Sequence, residues 1–322
     1  MRLYIVVVIA SVLLVAGCGQ LPWMDGSRQL ILEDHALAGK IWDVKEKRFV
    51  SKDYLAQRLS EYEYILLGET HDNILHHNHQ SWALRQLHIA KRSSIVAFEM
   101  IDQSQGDFIV DKQYESVDEL IQGLNHVKTT WGYERYYKPV FKEVLKAGYA
   151  IYPANLDRKT IMAIGKKGEE EIPAHIKPYL RKNTYTPKQE EAMRHEIKVS
   201  HCGMDNPYMA KAMMLTQRAK DAVMADSLMQ KAEVDTRVLI AGSGHVRNDR
   251  GVPMYILKEN NNAMLLTIAW MEVVEEFPSV DAYAERWGGE ILPFDFVWFT
   301  ARVDRHDPCE SFRRHMKKKN EK

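Results

Sequence analysis

Apolar runs and amphipathic stretches alternate along the first half of the chain. The runs "YILLGE", "SIVAFEM" and "AIYPANL" are continuously hydrophobic, which is typical of parallel strands that are covered on both faces. Between them, residues 76–92, 103–125 and 134–147 carry apolar side chains at helical spacing. Alternating strands and helices indicate βαβ units. The pattern therefore predicts an α/β fold with a mostly parallel sheet flanked by helices.

Shorter elements precede these units, and the pattern changes after them. "KIWDVKEKRFVS" is predicted as a hairpin, and "SKDYLAQRLSEY" as a helix that begins at a serine cap. Residues 158–231 show no strand pattern; they are helical, interrupted by prolines and rich in methionine. We therefore expect a Met-rich helical subdomain inserted in the order of the sheet.

The remaining apolar runs predict the end of the fold. "TRVLIAGSGHV" returns to a strand followed by a turn, and "PMYILKE" and "AMLLTIAWMEV" are predicted as further strands. "FDFVWFTAR" is predicted as a late edge strand. These patterns give an α/β domain at residues 41–275 and a C-terminal extension at 276–322, which ends in the basic tail "RRHMKKKNEK".

The N-terminus has the pattern of a targeting signal rather than of a folded element. Arg2 is followed by the apolar segment "LYIVVVIASVLLVAG", and the sequence "LVAGC" resembles the lipobox of bacterial lipoproteins. The resemblance implies a signal peptide at residues 1–17, lipidation of Cys18 and a linker at 18–40. Gly19 replaces the aspartate of the inner-membrane retention signal, so we expect a lipid anchor in the bacterial outer membrane.

The composition argues against one class of partner, but it does not decide whether two of the cysteines form a disulfide bond. The 322-residue chain contains 44 Lys plus Arg and 44 Asp plus Glu. A net charge of zero argues against a nucleic-acid partner, because such proteins usually show a basic excess. Cys202 and Cys309 remain after the lipobox cysteine, and in an oxidising periplasm they either pair or stay apart.

Three predicted strands end in polar residues that core packing does not require. They supply Glu69 and His71 in "GETHD", Glu99 in "VAFEM" and His245 in "GSGHV". Ligands of open α/β sheets bind outside the carboxyl ends of the strands, so these four side chains are expected to converge. Two histidines and two carboxylates suit either a divalent metal or acid–base chemistry.

Two nearby motifs are interpreted more conservatively. "GSGH" lacks the Lys-Ser/Thr of a phosphate-binding loop and the full dinucleotide fingerprint, which argues against nucleotide binding. "HHNH" at residues 76–79 opens a predicted helix, on which only His76 and His79 share a face. We therefore expect "HHNH" to be a solvated polar helix face rather than a metal site.

Several blocks, in this order and spacing, resemble the ChaN family of haem-binding, iron-regulated lipoproteins. They include "LLGETHDNILHHNHQ", "AFEM", "WGYERYYKPVFKEVLKAGYAIYPANLDR", "HCG", "LTQRAKDAVMA" and "LIAGSGHVRNDRGVP". The resemblance covers about residues 41–270. It implies an outer-membrane-attached protein that supports haem or iron uptake, with an outer-membrane haem receptor as a possible partner. It also implies that haem binds between two protomers of a homodimer with tyrosine as the iron ligand.

The resemblance does not identify the tyrosine, so the candidates come from the Met-rich insertion. Soft methionine side chains suit the face of a porphyrin, and Tyr208, Tyr185 and Tyr179 lie in this part of the sequence. Tyr208 is preferred because it lies beside "MAKAMM". Further candidates, for contacts with the haem propionates, are His195, His201 and Arg181.

The same motifs also resemble a wider superfamily that contains Tiki-type metalloproteases and erythromycin esterases. That resemblance implies an alternative function, a metal-dependent peptidase or esterase. Its metal and catalytic residues would be Glu69, His71, Glu99 and His245. A bound metal would activate water, and a glutamate would transfer the proton.

Overall fold

The computed structural model describes residues 29–110, 112–127, 131–204, 206–230, 233–305 and residue 309. The predicted signal peptide, the predicted lipidation site at Cys18 and the first part of the predicted linker lie outside the described residues, and so does the basic tail.

An eight-stranded sheet, in the order β3-β2-β9-β8-β4-β7-β5-β6, forms the centre of the molecule, and a two-stranded sheet of β1 and β10 accompanies it. The strands are β1 (Leu30–Ile31), β2 (Ile41–Asp43), β3 (Arg48–Val50), β4 (Tyr64–Glu69), β5 (Ser94–Asp102), β6 (Ala150–Asn155), β7 (Thr236–Gly242), β8 (Leu265–Glu272), β9 (Phe296–Thr300) and β10 (Arg302–Val303). Strands β4 to β9 pair in parallel, and only the β2–β3 hairpin joins the large sheet in antiparallel orientation. The predicted fold class is confirmed.

Helices cover both faces of the large sheet. They are α1 (Lys52–Leu59), α2 (Ile74–Ile89), α3 (Gly106–Ile109), α4 (Val117–Leu124), α5 (Lys138–Ala147), α6 (Arg158–Lys167), α7 (Lys177–Lys182), α8 (Pro187–Ser200), α9 (Pro207–Leu228), α10 (Val252–Glu259) and α11 (Val280–Arg286). Short 3-10 turns span Gln103–Gln105 and Glu169–Glu171, and a π-helical turn spans Tyr133–Tyr137.

The two faces of the sheet are buried in separate hydrophobic cores. In β4, Ile65 and Leu67 belong to the core under α1, α2, α4 and α5, whereas Leu66 belongs to the core under α6, α7, α9, α10 and α11. Successive side chains of a strand point to opposite faces, so a strand covered on both sides must be apolar throughout. This requirement explains the continuous apolar runs of the central strands.

The stretch between β6 and β7 is helical, as its sequence pattern predicted. It contains α6 to α9, and none of its described residues forms a strand. Helix α9 is 22 residues long and is capped at its start by the Asn206 side chain, which accepts hydrogen bonds from two backbone N–H groups. Its buried half packs against β5, β6, α6 and α10, which brings the middle of α9 over the carboxyl ends of the strands.

One predicted strand is a helix, and another is a strand at a different place in the sheet. "PMYILKE" belongs to helix α10, where Pro253 lies in the first turn, a position that suits its fixed φ and its missing N–H. "FDFVWFTAR" does form a strand, β9, but not at an edge. It lies between β8 and β2, because the N-terminal β2–β3 hairpin adds to its outer side. The chain beyond residue 275 therefore supplies an interior strand of the sheet.

The two cysteines form a disulfide bond. Their Cα atoms are 5.3 Å apart, and the bond ties Cys202, in the turn between α8 and α9, to Cys309 near the C-terminus. Of the alternatives left open by the sequence, the structure has the paired one. No helix within the described residues combines the length and the hydrophobicity that crossing a membrane requires.

Candidate functional site

Three neighbouring strands bring the polar strand ends together. In the sheet β7 lies between β4 and β5, and Glu69 at the end of β4 is opposite Gly242 at the end of β7. Glu99 lies near the end of β5, and His71 and His245 lie on the loops that follow β4 and β7. The convergence of Glu69, His71, Glu99 and His245 that the sequence predicted is therefore present in the structure.

Glu69 is a buried carboxylate that is held from several sides. One oxygen accepts hydrogen bonds from the Tyr137 hydroxyl at 2.6 Å and from His71 Nδ1 at 2.8 Å, and the other accepts from Gln80 Nε2 at 2.7 Å. Burial alone would raise the pKa of Glu69, but the nearby His77 and the hydrogen bonds from His71 and Tyr137 outweigh it. The net pKa lies below its ordinary value, so Glu69 is an anion that fixes the His71 ring.

Glu99 lies at the centre of the cluster. Its Oε1 atom is 2.6 Å from Lys220 Nζ and 3.3 Å from His245 Nε2. Its Oε2 atom accepts the Gly242 N–H at 2.8 Å and lies 3.7 Å from His71 Nε2. Burial would raise the pKa of Glu99, but the positive charge of Lys220 and the contact with His245 hold it well below its ordinary value.

His245 is paired with a carboxylate on its other side. Its Nδ1 atom donates a hydrogen bond to Asp221 Oδ1 at 2.6 Å, and both residues are buried. Burial opposes a charge on His245, but Glu99 and Asp221 more than compensate and raise its pKa to about 9. Burial raises the pKa of Asp221 above its ordinary value. At neutral pH the His245 ring is therefore protonated and can donate a proton.

These contacts form one continuous chain of alternating carboxylates and imidazoles. Read across the sheet, the order is Asp221, His245, Glu99, His71 and Glu69. Each imidazole has its Nδ1 atom on an outer carboxylate and its Nε2 atom directed at the central Glu99. This arrangement fixes the tautomers and the orientation of both rings, and it suits proton transfer.

The sequence reasoning missed four residues of this cluster: Lys220, Asp221, Tyr137 and Gln80. Lys220 and Asp221 come from α9, and Tyr137 comes from the π-helical turn before α5. A signal for two of them was present, because "AKDAVMA" places a Lys-Asp pair inside an otherwise apolar helical stretch. Buried charges of this kind are rare unless they are paired, so such a pair within an apolar stretch indicates a polar partner.

The prediction that "HHNH" is a solvated helix face was wrong. His76 and His77 are completely buried. His76 Nδ1 accepts the Thr70 N–H at 2.8 Å, and its Nε2 atom donates to the Thr300 hydroxyl of β9, also at 2.8 Å. Burial holds the pKa of His76 well below its ordinary value. His76 is therefore a neutral side chain that holds the "GETHD" turn against Thr300 of β9, the strand that the sequence pattern placed at an edge. His77 Nε2 lies 3.2 Å from the carbonyl oxygen of His71 in the same turn.

A cleft of about 390 Å³ opens above the cluster. His71, Glu99 and His245 form its polar floor, and Trp131 from the loop before α5 also lines it. The Met-rich insertion supplies an apolar wall on the other side, made of Tyr185, Met193, Ile197 and Met213. A polar floor under an apolar wall is typical of small-molecule sites.

The three candidate tyrosines have very different surroundings. Tyr208 is 88% exposed in the first turn of α9, and its hydroxyl makes no hydrogen bond to a described residue. Tyr185 is buried in the cleft wall, and burial raises its pKa far above the ordinary value. The Tyr179 hydroxyl donates to Asp226 at 3.0 Å, and burial and this bond raise its pKa to about 12.

The three propionate candidates do not form one group around the cleft. His201 lines the cleft, and its Nδ1 atom donates to the Ile197 carbonyl at 2.8 Å. His195 is exposed on α8, and Arg181 is exposed on α7, where its nearest carboxylate oxygen is 4.0 Å away.

The four predicted metal ligands do not form a metal site in this arrangement. In the part of the chain that the structure describes, no group of three or more His, Cys, Asp or Glu side chains is placed to hold a metal ion. The Lys220 ammonium lies within 3.4 Å of His245 Nε2 and 2.6 Å of Glu99, between two of the expected ligands. The divalent metal therefore stays a prediction that this geometry does not favour.

The fold and the site define a doubly wound α/β protein with an acid–base cluster at the carboxyl ends of its strands and a helical insertion above it. Residues 55–256 match the family model described as haem-binding uptake, Tiki superfamily, ChaN. The match spans more than half of the chain, and the chain therefore belongs to the ChaN family.

One solved structure agrees with this assignment at the level of the fold. The chain is similar to ChaN of Campylobacter jejuni, whose structure is described as cofacial haem binding, with a TM-score of 0.64 and 21% identity over 82% of this chain and 96% of that one. It is more distantly similar to the type III effector HopBA1, with a TM-score of 0.43 and 13% identity over 78% and 93% of the two chains. An erythromycin esterase matches with a TM-score of 0.41 and 12% identity over 85% and 86%. No curated protein matches the chain.

Proposed function

We propose that this protein binds ferric haem through Tyr208 and supports haem uptake at the bacterial outer membrane. The observation that carries the proposal is the exposed tyrosine at the start of α9, in a chain that belongs to a haem-binding family. Phenolate is a hard anionic ligand for ferric iron and occurs as an axial haem ligand in other proteins.

The surroundings of the three tyrosines favour Tyr208. An iron ligand must lose its proton and reach the metal, and burial raises the pKa of Tyr185 and Tyr179, which opposes proton loss. Tyr179 also has a carboxylate partner, so binding iron would break its hydrogen bond to Asp226. Tyr208 is exposed to solvent, and its hydroxyl has no carboxylate partner among the described residues.

A second copy of the chain is the partner that fits an exposed haem ligand. Tyr208 and Val199, which is 62% exposed, flank the Cys202 turn and present apolar surface to solvent. A haem on this surface would keep one face in water unless another surface covered it. The related Campylobacter jejuni protein is described as binding haem cofacially. We therefore infer a homodimer that closes around haem.

Two features support a location outside the cytoplasm. The lipobox-like sequence before Cys18 supports a lipid anchor in the outer membrane. The Cys202–Cys309 disulfide fits an oxidising compartment, because cytoplasmic thiols are usually kept reduced. An anchored haem binder in that location is suited to deliver haem to, or receive it from, an outer-membrane receptor.

The test is a titration of the purified mature protein with ferric haem, followed by its visible spectrum. We expect saturable binding with a high-spin tyrosinate-like spectrum in the wild type. Tyr208→Phe should weaken binding by more than the roughly 10- to 100-fold that is typical of changes around a ligand, because the ligand itself is lost.

Tyr179→Phe and Tyr185→Phe are the matched controls, and both should keep the spectrum. If one of them loses it while Tyr208→Phe keeps it, the ligand assignment is wrong. If the wild type shows no saturable binding, the haem proposal itself fails. Size-exclusion chromatography with and without haem tests the dimer.

A second function is favoured by the two carboxylate–imidazole pairs in the cleft. We propose acid–base hydrolysis of an ester or amide as the alternative activity. His245 is protonated at neutral pH and can act as the acid, while His71, oriented by Glu69, can act as the base above its raised pKa. A metal-dependent hydrolysis is not supported, because the described residues do not form a metal site.

Hydrolysis of chromogenic esters and of peptides tests this second function. His71→Gln and His245→Gln should each abolish turnover, whereas His195→Gln, a change at an exposed position on α8, should leave it intact. Turnover that is absent in the wild type, or that survives both cleft substitutions, would remove this alternative.

A further inference from the structure

In the cleft, the Lys220 ammonium lies beside two of the side chains that were predicted to bind a metal ion. We propose that the Lys220 ammonium takes the place of a metal ion between Glu99 and His245, and that removing this one charge turns the cleft into a divalent-metal site. The inference concerns the cleft alone and is independent of haem binding on α9.

Two of the atoms around Lys220 already have the spacing of a pair of metal ligands. Glu99 Oε1 and His245 Nε2 are 3.3 Å apart. In a tetrahedral site with bonds of about 2.1 Å, two ligand atoms lie about 3.4 Å from each other. His71 Nε2 faces the second oxygen of Glu99 at 3.7 Å. Two imidazole nitrogens and one carboxylate are the ligand set of many catalytic zinc sites.

The Nδ1 atoms of His71 and His245 also make the contacts that are typical of metal-bound histidines. Such histidines usually donate their other ring N–H to a carboxylate, which fixes the tautomer. His71 does so to Glu69 at 2.8 Å, and His245 does so to Asp221 at 2.6 Å. Both histidines therefore have the carboxylate partner that a metal-bound histidine usually has, although the described side chains do not form a metal site while Lys220 is present.

Lys220 excludes the ion by position and by charge. Its Nζ atom is 2.6 Å from Glu99 Oε1 and 3.4 Å from His245 Nε2. An ion about 2.1 Å from both of these atoms, on the side of the ammonium, would come within about 2 Å of Nζ, which is closer than two cations can approach. The Lys220 side chain is only 14% exposed, so it cannot swing freely into water.

The lysine also explains how the buried charges coexist. Glu99 is 3% exposed, and Lys220 together with the His245 ring supplies the positive charge that a buried carboxylate needs. Arg250 also lines the cleft, but it is paired with Glu196 and Asp249. Lys220 is the nearer of the two partners of Glu99, at 2.6 Å against 3.3 Å for His245, and it has the role that a metal would otherwise have.

The experiment is a titration of the full mature protein with Co²⁺ and Zn²⁺, followed by visible absorption and calorimetry. Lys220→Met keeps the volume of the side chain and removes its charge. We expect this variant to gain one site per chain that binds Co²⁺ at least ~100-fold more tightly than the wild type, because a buried like charge a few ångströms away is gone. Lys211→Met, an exposed change on the same helix, is the matched control and should gain nothing.

A double variant tests which residue binds the metal ion in Lys220→Met. Lys220→Met combined with His245→Gln should lose the new site, which distinguishes it from adventitious binding at surface histidines. A Lys220→Met variant that folds, by circular dichroism, yet gains no site would overturn the proposal.

The wild type supplies a test that does not depend on the folding of a variant. Tight Co²⁺ or Zn²⁺ binding by the wild type that disappears in His71→Gln or His245→Gln would show that a metal already displaces Lys220, and the proposal would be wrong. Haem binding is measured in a separate titration, so a negative result for the metal site leaves the haem proposal untouched, and the reverse also holds.

Discussion

Gly251 is a position where a single added methyl group should distort the turn that carries His245. Its backbone has φ +86° and ψ −160°, a region that is essentially restricted to glycine. A Cβ atom there would lie 2.5 Å from the carbonyl oxygen of His245 and 3.0 Å from its carbonyl carbon. That oxygen cannot retreat easily, because it accepts the Val252 N–H at 2.8 Å and so begins α10.

The cost of Gly251→Ala follows from these two effects. Backbone strain in this region costs about 1–3 kcal/mol. Forcing an extra carbon into a close-packed site costs a further ~1–3 kcal/mol. We therefore expect the free energy of unfolding to fall by about 4 kcal/mol, a large fraction of the roughly 5–15 kcal/mol that is typical of folded proteins.

Urea denaturation followed by circular dichroism measures this loss, and Gly148→Ala is the matched control. Gly148 ends α5 at φ +68°, but nothing lies within 4 Å of a Cβ atom placed there. The control should lose only about 1–2 kcal/mol, from the left-handed conformation alone. If both variants lose the same free energy, the close approach to His245 has no energetic weight and the reasoning is refuted.

Two further predictions concern the disulfide and the pH dependence. Replacing Cys202 and Cys309 by serine should lower the free energy of unfolding by about 2–4 kcal/mol, because the bond closes a loop with a sequence separation of 107, and an unchanged denaturation midpoint would contradict this. The pKa of His245 is raised from 6.5 to about 9, so its stabilising contribution is complete below pH 6.5 and is lost as the pH rises towards 9. Between pH 6 and pH 9, the free energy of unfolding should therefore fall less in His245→Gln than in the wild type. In His195→Gln it should fall as much as in the wild type.

Much of the sheet was predictable from the sequence, because its central strands are buried on both faces. A continuous apolar run between polar residues and a glycine, such as Tyr64–Leu67 in β4, indicates a strand that is buried on both faces. The run in α10 has a similar composition, and its helical state depends on Pro253 in the first turn and on packing against α9. The interior place of β9 was not predictable, since it depends on a hairpin from the other end of the chain.

The site was predictable only where it lies on strand ends. Glu69, Glu99 and the two histidine loops follow from the rule that parallel strands present their carboxyl ends at one edge. Lys220 and Asp221 come from a helix whose position over the sheet is a tertiary property. Their charges were visible in the sequence, but the partners that make those charges tolerable were not.

The disulfide has a consequence for how the chain withstands cleavage. Because Cys202 is bonded to Cys309, the residues between them form a covalent ring that includes β7, β8 and β9 with all of α9 and α10. A protease that cuts one loop inside this ring leaves both fragments attached, and they separate only after reduction. Half of the parallel strands and the helix that carries Lys220 and Tyr208 thus stay together through a single backbone break.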